Sequence, residues 1–235
     1  MGAHDGAMAA TAIGRELMNL VLPVACAGCG ENDTMLCGHC RATPARCHQP
    51  QLTWTEALWG VPVWAGCDYE GSWRRIIVAW KERGVFSLAP ALARVTAEAW
   101  RRVDTGGHLV IVPVPGSWSG WFRRGVEPTR QLAHHLLRLL PTEVATRVQI
   151  SRRLRRGGIW SQGLIGAPSW RRKQRGRNER LARPPRFRAR GMAACEVVLI
   201  DDVVTTGATL EQAAKVLQQA GARVVGVVVC ASRAG

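Results

Sequence analysis

Tyrosine occurs once in these 235 residues, phenylalanine three times and lysine only at positions 81, 173 and 215. No uninterrupted apolar run reaches the roughly 18–20 residues that a membrane-spanning helix needs. The first residues lack the early basic cluster of a secretory leader, and Arg15 and Glu16 interrupt the stretch that would be its apolar region. The expectation is a soluble, cytoplasmic protein. Acids are scarce where bases are dense. Residues 147–190 hold fourteen arginines and Lys173 against the single acid Glu179, a local charge of +14 out of +15 for the whole chain. Such an excess calls for an anionic partner or for a solvated loop. Hydrophobic residues make up 47% of the chain, enough for a packed core, so global disorder is excluded.

The apolar residues that are present fall in alternating patterns. Residues 11–22 carry Ile13, Leu17, Leu20 and Val21 at helical spacing, ended by Pro23. Residues 61–71 read as a strand. Residues 72–84 read as a helix capped by Ser72 and stopped by Gly84, and 87–103 as a second helix capped by Ser87. Buried strands are expected at 108–115, 195–200 and 222–230, with helices at about 128–140 and after residue 201, and a short strand at 143–150. Apolar strands that alternate with helices imply an α/β fold with a parallel sheet covered on both sides. Residues 1–50 read as an N-terminal helix and metal module, and 51–235 as the α/β domain.

Five of the eight cysteines lie between Cys26 and Cys47. Cys26-x2-Cys29 and Cys37-x2-Cys40 are two tight pairs, the spacing that lets four thiolates face one tetrahedral Zn²⁺. A redox pair is the alternative, disfavoured by there being two pairs side by side. Cys47 and His48 are unpaired spares. Cys67, Cys195 and Cys230 sit in strand-like runs and read as core residues.

Residues 197–210, VVLIDDVVTTGATL, form a second constellation. A hydrophobic strand ends in Asp201 and Asp202, followed by Thr205, Thr206, Gly207, Ala208 and Thr209 at the start of a helix. Backbone N–H groups and a helix N-terminus suit a phosphate, with the threonine hydroxyls as further donors. The two acids suit sugar hydroxyls or a metal. A strand end with solvated acids and a capped helix is the plainer alternative. His134 and His135, adjacent on a helix, are expected to face different directions and not to line one site together, and no general base stands out.

The acidic string resembles the 5-phosphoribosyl 1-pyrophosphate (PRPP) motif of type I phosphoribosyltransferases. The order of the four-Cys knuckle, Tyr69-x-Gly71, Lys81-x-x-Gly84, Ile111-Val-Pro-Val-Pro115, Arg124-Gly125, Arg175-x-x-Asn178 and the acidic loop is similar to the ComF family. That family comprises phosphoribosyltransferase-like proteins linked to DNA uptake and competence. Its Arg-Gly-Phe-Asn-Gln reads Arg124-Gly-Val-Glu-Pro128 here. The resemblance implies that Asp201 and Asp202 hold ribose hydroxyls and that Thr205–Thr209 cradle the 5′-phosphate. It puts Lys81, Val114, Pro115, Arg123, Arg124 and Arg175 on the pyrophosphate side, with Mg²⁺ brought in with PRPP. The implied activity is a phosphoribosyltransferase acting on PRPP, or a nucleotide-binding protein, in nucleotide metabolism or DNA use. The alternative is a non-catalytic binder of single-stranded DNA or nucleotides, with residues 147–190 tracking phosphates and Trp160, Trp170 and Phe187 stacking on bases.

Overall fold

A computed structural model describes residues 24–42, 46–50, 58–104, 106–116, 126–156 and 187–233. The helix expected at 11–22 lies outside them, as do Arg123, Arg124, Trp160, Trp170 and Arg175. In chain order the elements are α1 (Gly38–Ala42), β1 (Val63–Asp68), α2 (Gly71–Lys81), α3 (Ala89–Trp100), β2 (Leu109–Pro113), α4 (Pro128–Leu137), α5 (Thr142–Ala145), β3 (Val148–Ile150), β4 (Arg155–Arg156), β5 (Phe187–Arg188), β6 (Glu196–Val204), α6 (Ala208–Gln219) and β7 (Arg223–Ser232).

Five strands form one parallel sheet in the order β1-β7-β6-β2-β3. Its central strands are apolar on both faces because helices cover both. One face carries Ile111, Val198, Ile200, Val228 and Cys230 against α2, α3 and α4 through Ile76, Trp80, Leu92 and Leu132. The other carries Val112, Val197, Leu199, Val227 and Val229 against α6 through Leu210, Ala213 and Leu217. The α/β class expected from the sequence is the class observed. Among the described residues no helix is long and apolar enough to cross a membrane.

The chain passes outward from β2 to β3, then returns to the other side of β2 to form β6 and continues outward to β7. The strand order therefore reverses between β2 and β6. In open α/β sheets, ligands bind beyond the carboxyl ends of the strands at such a reversal.

Several local expectations are corrected. Helix α2 begins at Gly71 behind Glu70, and no side chain caps it, so Ser72 is not its N-cap. Helix α3 begins at Ala89 with Pro90 in its first turn, after a single 3-10 turn at Phe86–Leu88. Proline suits that first turn because its missing N–H would have no partner there anyway. The hydroxyl of Ser87 lies against Met35 Sδ at 3.5 Å instead of capping α3. Residues 143–150 split into α5 and the three-residue strand β3. Strand β6 does not end at Ile200. It runs on to Val204 because β7 is long enough to pair Val203 with Ala231 and Val204 with Ser232. Asp201 and Asp202 thus stand inside a strand, and the turn proper is Thr205–Gly207.

The cysteine module is built onto the main core. Cys26, Leu36, Cys37 and Cys40 join the same buried cluster as Trp73 and Ile76 of α2, and Arg75 Nε donates to the Gly28 carbonyl. Cys67 and Cys230 are buried, and Cys195 is half-buried just before β6. His48 bridges antiparallel to Ala65 of β1, with its ring hydrogen-bonded to the Arg46 carbonyl at 2.9 Å and to Ser232 Oγ at 2.6 Å.

Candidate functional site

The carboxyl ends of β2 and β6 are tied together. Val114 N–H donates to the Ile200 carbonyl at 2.8 Å, and Thr129 Oγ1 of α4 donates to the Val114 carbonyl at 2.8 Å. Val114 itself is buried, and Pro115 and Gly116 follow at the edge. Both backbone groups of Val114 are therefore committed within the fold, and what the turn offers outward begins at Pro115.

At the end of β6 the turn exposes Thr205 and Thr206. Gly207 follows with φ 76° and ψ −10°, a left-handed conformation that glycine adopts without steric cost. Helix α6 then starts at Ala208 with no side-chain cap, and Thr209 is half-buried. The first N–H groups of a helix have no partner within it and carry the positive end of the macrodipole. The arrangement is an open cup of donors, with Ala208 giving backbone only.

The acids precede this turn, inside β6. Asp201 is 9% exposed and Asp202 only 1%. Asp202 N–H donates to Asp201 Oδ1 at 2.8 Å, and Val203 N–H donates to Asp202 Oδ1 at 2.8 Å. Asp202 Oδ2 pairs with the ammonium of Lys81 at 2.5 Å and has no hydrogen-bond partner among the described residues. Burial, then the charge of Asp202, pushes Asp201 well above the usual carboxylate range, and Lys81 only partly opposes them. Burial would depress Lys81, but Asp202 and Asp201 outweigh it and hold the ammonium above its usual range. Lys81 ends α2, whose preceding residue Trp80 is fully buried and donates from Nε1 to Gln131 Oε1 of α4 at 3.1 Å. That anchor aims the last turn of α2 at β6. The ammonium of Lys81 thus stands on Asp202.

Next to the cup, on the β2–β3 side, lies a cleft of about 950 Å³. Its cations are Arg130, Arg138, Arg152, Arg155 and Arg156, with Glu127 as its one acid. It does not include residues 205–209, so the cup opens to solvent beside the cleft rather than inside it. Burial lowers Arg156, and Asp201 opposes that shift, which places Arg156 within electrostatic reach of the acids. Burial raises Glu127 against the pull of Arg130 and Arg152. His134 and His135 both border this cleft, a correction to the expectation that neighbours on a helix cannot line one site. The groove is wide enough to span the roughly 100° between them. Burial lowers both imidazoles, with Arg130 and Arg138 adding to the effect on His134 and Arg138 to that on His135, so both are disposed to be neutral.

No motif of the sequence signals the Lys81–Asp202 pair, the Arg130 and Arg138 wall or Thr129 bracing Val114. Only Arg152, Arg155 and Arg156 belong to the basic segment it did mark.

The four cysteines converge as their spacing suggested. All four Sγ atoms lie within 4.8 Å of one another, with Cys29 and Cys37 at 3.6 Å. A tetrahedral ion with Zn–S near 2.3 Å would set its sulfurs about 3.8 Å apart. Cys37 N–H points at Cys26 Sγ at 3.3 Å, and Cys40 N–H at Cys37 Sγ at 3.4 Å. Burial raises the Cys26 thiol, but N–H groups of Cys37, Cys29 and Gly28 overcome it and bring it down to about 6. A Cβ on Gly28 would stand 2.6 Å from Cys40 Sγ, so this backbone closes directly over the thiols. The donor set fits a structural Zn²⁺. Among the described residues it is the one cluster of three or more such ligands.

An open parallel sheet with an uncapped helix start and buried acids at its strand-order reversal is the arrangement of an α/β fold suited to phosphate esters. Residues 89–235 match the family of the phosphoribosyl transferase domain, and the chain belongs to that family. No curated protein matches the chain.

Proposed function

We propose that the chain binds PRPP together with Mg²⁺ and that it is a ComF-type member of its family. One observation carries the ligand: the start of α6, with left-handed Gly207 and exposed Thr205 and Thr206, opens uncapped beside two buried acids. Thr205–Thr209 hold the 5′-phosphate through backbone N–H and hydroxyl donors. Asp201 and Asp202 accept from the ribose 2′- and 3′-hydroxyls. The pyrophosphate lies toward Pro115, on the turn shaped by Val114, with Arg123, Arg124 and Arg175 as its cations, while Lys81 stays on Asp202. Mg²⁺ bound with PRPP supplies further positive charge to the leaving pyrophosphate.

In the transfer, the bond from ribose C1 to the pyrophosphate oxygen breaks, its electron pair leaves with pyrophosphate, and an acceptor's lone pair forms the new bond to C1. The carboxylates below the ribose stabilise the positive charge that develops on the ring, and cations stabilise the departing oxygens. The four-cysteine module ahead of the matched segment supports the ComF assignment, and with it a link to DNA uptake and competence.

A second reading rests on the arginines of the 950 Å³ cleft. They suit the phosphates of a single strand held without turnover, but Phe187, the one described member of the expected stacking set, is buried in the core beside Leu210 and Leu217 and offers no ring to bases, a correction to that expectation. A melting experiment separates the two. PRPP with Mg²⁺ at 100 times its Kd raises the melting temperature by roughly 5–10 °C, and Asp201→Asn/Asp202→Asn abolishes the rise. Oligonucleotide binding that falls steeply with salt and ignores those substitutions, with no response to PRPP, favours the second reading.

A further inference from the structure

The proposed phosphate cup, Thr205–Thr209, follows the strand that carries two buried carboxylates, Asp201 and Asp202, and carboxylates repel an approaching phosphate. Something must cancel the acids before an anion can enter. Asp202 Oδ1 accepts from the Val203 N–H, and among the described residues its Oδ2 has the Lys81 ammonium as its ion-pair partner and no hydrogen bond. The Asp202 side chain is 2% exposed and that of Lys81 40% exposed, so a buried carboxylate is paired with a lysine that is only partly buried. Lys81 precedes the family-matched segment, which begins at residue 89.

We infer that Lys81 is the resident counter-ion of the acid pair. Its ammonium cancels the charge of Asp202 in the empty cup, so that a doubly or multiply anionic sugar phosphate can approach Thr205–Thr209. It also takes the place on Asp202 Oδ2 that a free divalent cation would otherwise fill. The identity of the anion rests on the phosphoribosyl reading; the role at Asp202 does not. Lys81 is thus a positioning residue, and the acids serve as ribose acceptors only with this cation in place.

The test uses the full, zinc-loaded chain with Lys81→Met, Lys81→Arg and the double variant Lys81→Met/Asp202→Asn, with Lys81→Gln in reserve should the methionine variant lose its cooperative melt. Free Mn²⁺ binding is followed by electron paramagnetic resonance without any phosphate present. Lys81→Met tightens Mn²⁺ binding by about fivefold or more, the effect of one unbalanced charge at 4 Å even in water-like surroundings. Lys81→Arg leaves it at the wild-type level, and the double variant loses the gain. Calorimetry with PRPP supplies a second readout. In EDTA, Lys81→Met weakens binding by about fivefold or more, and Mg²⁺ restores most of the loss because it supplies the missing charge. Unchanged Mn²⁺ binding in Lys81→Met, or a gain that survives Asp202→Asn, overturns the inference. If the wild type does not bind PRPP, the functional reading falls, and the Mn²⁺ measurement still decides the role of Lys81.

Discussion

Gly28 tests the cysteine module more sharply than removal of any thiol, because it alters packing and leaves all four ligands in place. A Cβ at this position would lie 2.6 Å from Cys40 Sγ, 3.0 Å from Cys40 Cβ and 3.3 Å from Ile76 Cδ1. Ordinary contact needs about 3.5–4.0 Å, so the sulfur must retreat by about 1 Å. Zinc–ligand distances tolerate about 0.2 Å. Ile76 is buried in the core and blocks escape in the other direction. Overpacking of this kind costs about 1–3 kcal/mol, which is a loss of about 5- to 150-fold in zinc affinity. Gly38 is the matched control, since a Cβ there meets nothing within 4 Å. Zinc stoichiometry by elemental analysis, followed by competition with a chromophoric chelator, measures both variants. Wild type and Gly38→Ala should hold one zinc per chain with equal affinity. Gly28→Ala should bind it more weakly and melt about 2–12 °C lower. Wild-type affinity in Gly28→Ala would refute the packing of this backbone over the thiols.

Asp201 gives a prediction for pH. Its folded pKa lies above the unfolded one, so the native state holds the extra proton and stability falls as pH rises from the ordinary carboxylate range through the raised value. Asp201→Asn in the unliganded protein should remove that fall, so the melting curves of variant and wild type separate progressively between pH 4 and 8; parallel curves would count against it. Gly207→Ala forces a Cβ into the left-handed region at φ 76°, at a cost of about 1–2 kcal/mol. The melting temperature should drop by about 2–8 °C and ribose 5-phosphate affinity should weaken, as checked by scanning fluorimetry and calorimetry. A variant that keeps both would show that the turn does not need this conformation.

The sheet was readable because β2, β6 and β7 are runs of β-branched residues that only a doubly covered sheet accommodates. The end of β6 was not readable. Asp-Asp looks like a strand end, and only the length of β7 keeps it in the ladder. The cap signals at Ser72 and Ser87 were local, and other residues set those helix starts. In the site, the Thr/Gly string and the paired cysteines were legible because their spacing carries their chemistry. The Lys81–Asp202 pair was not, since it depends on Trp80 seating α2 against α4. The two histidines were misjudged by treating helix geometry without the width of the groove they border.

The central claim is that the turn after β6 and the start of α6 form the phosphate cup. The most direct test is amide chemical-shift mapping of the ¹⁵N-labelled chain titrated with ribose 5-phosphate. The account predicts that the amides of Thr205–Leu210 shift first and furthest, and that Gly207→Ala blunts their response. Shifts confined to the cleft around Arg130, Arg152 and Arg155, with residues 205–210 silent, would contradict it.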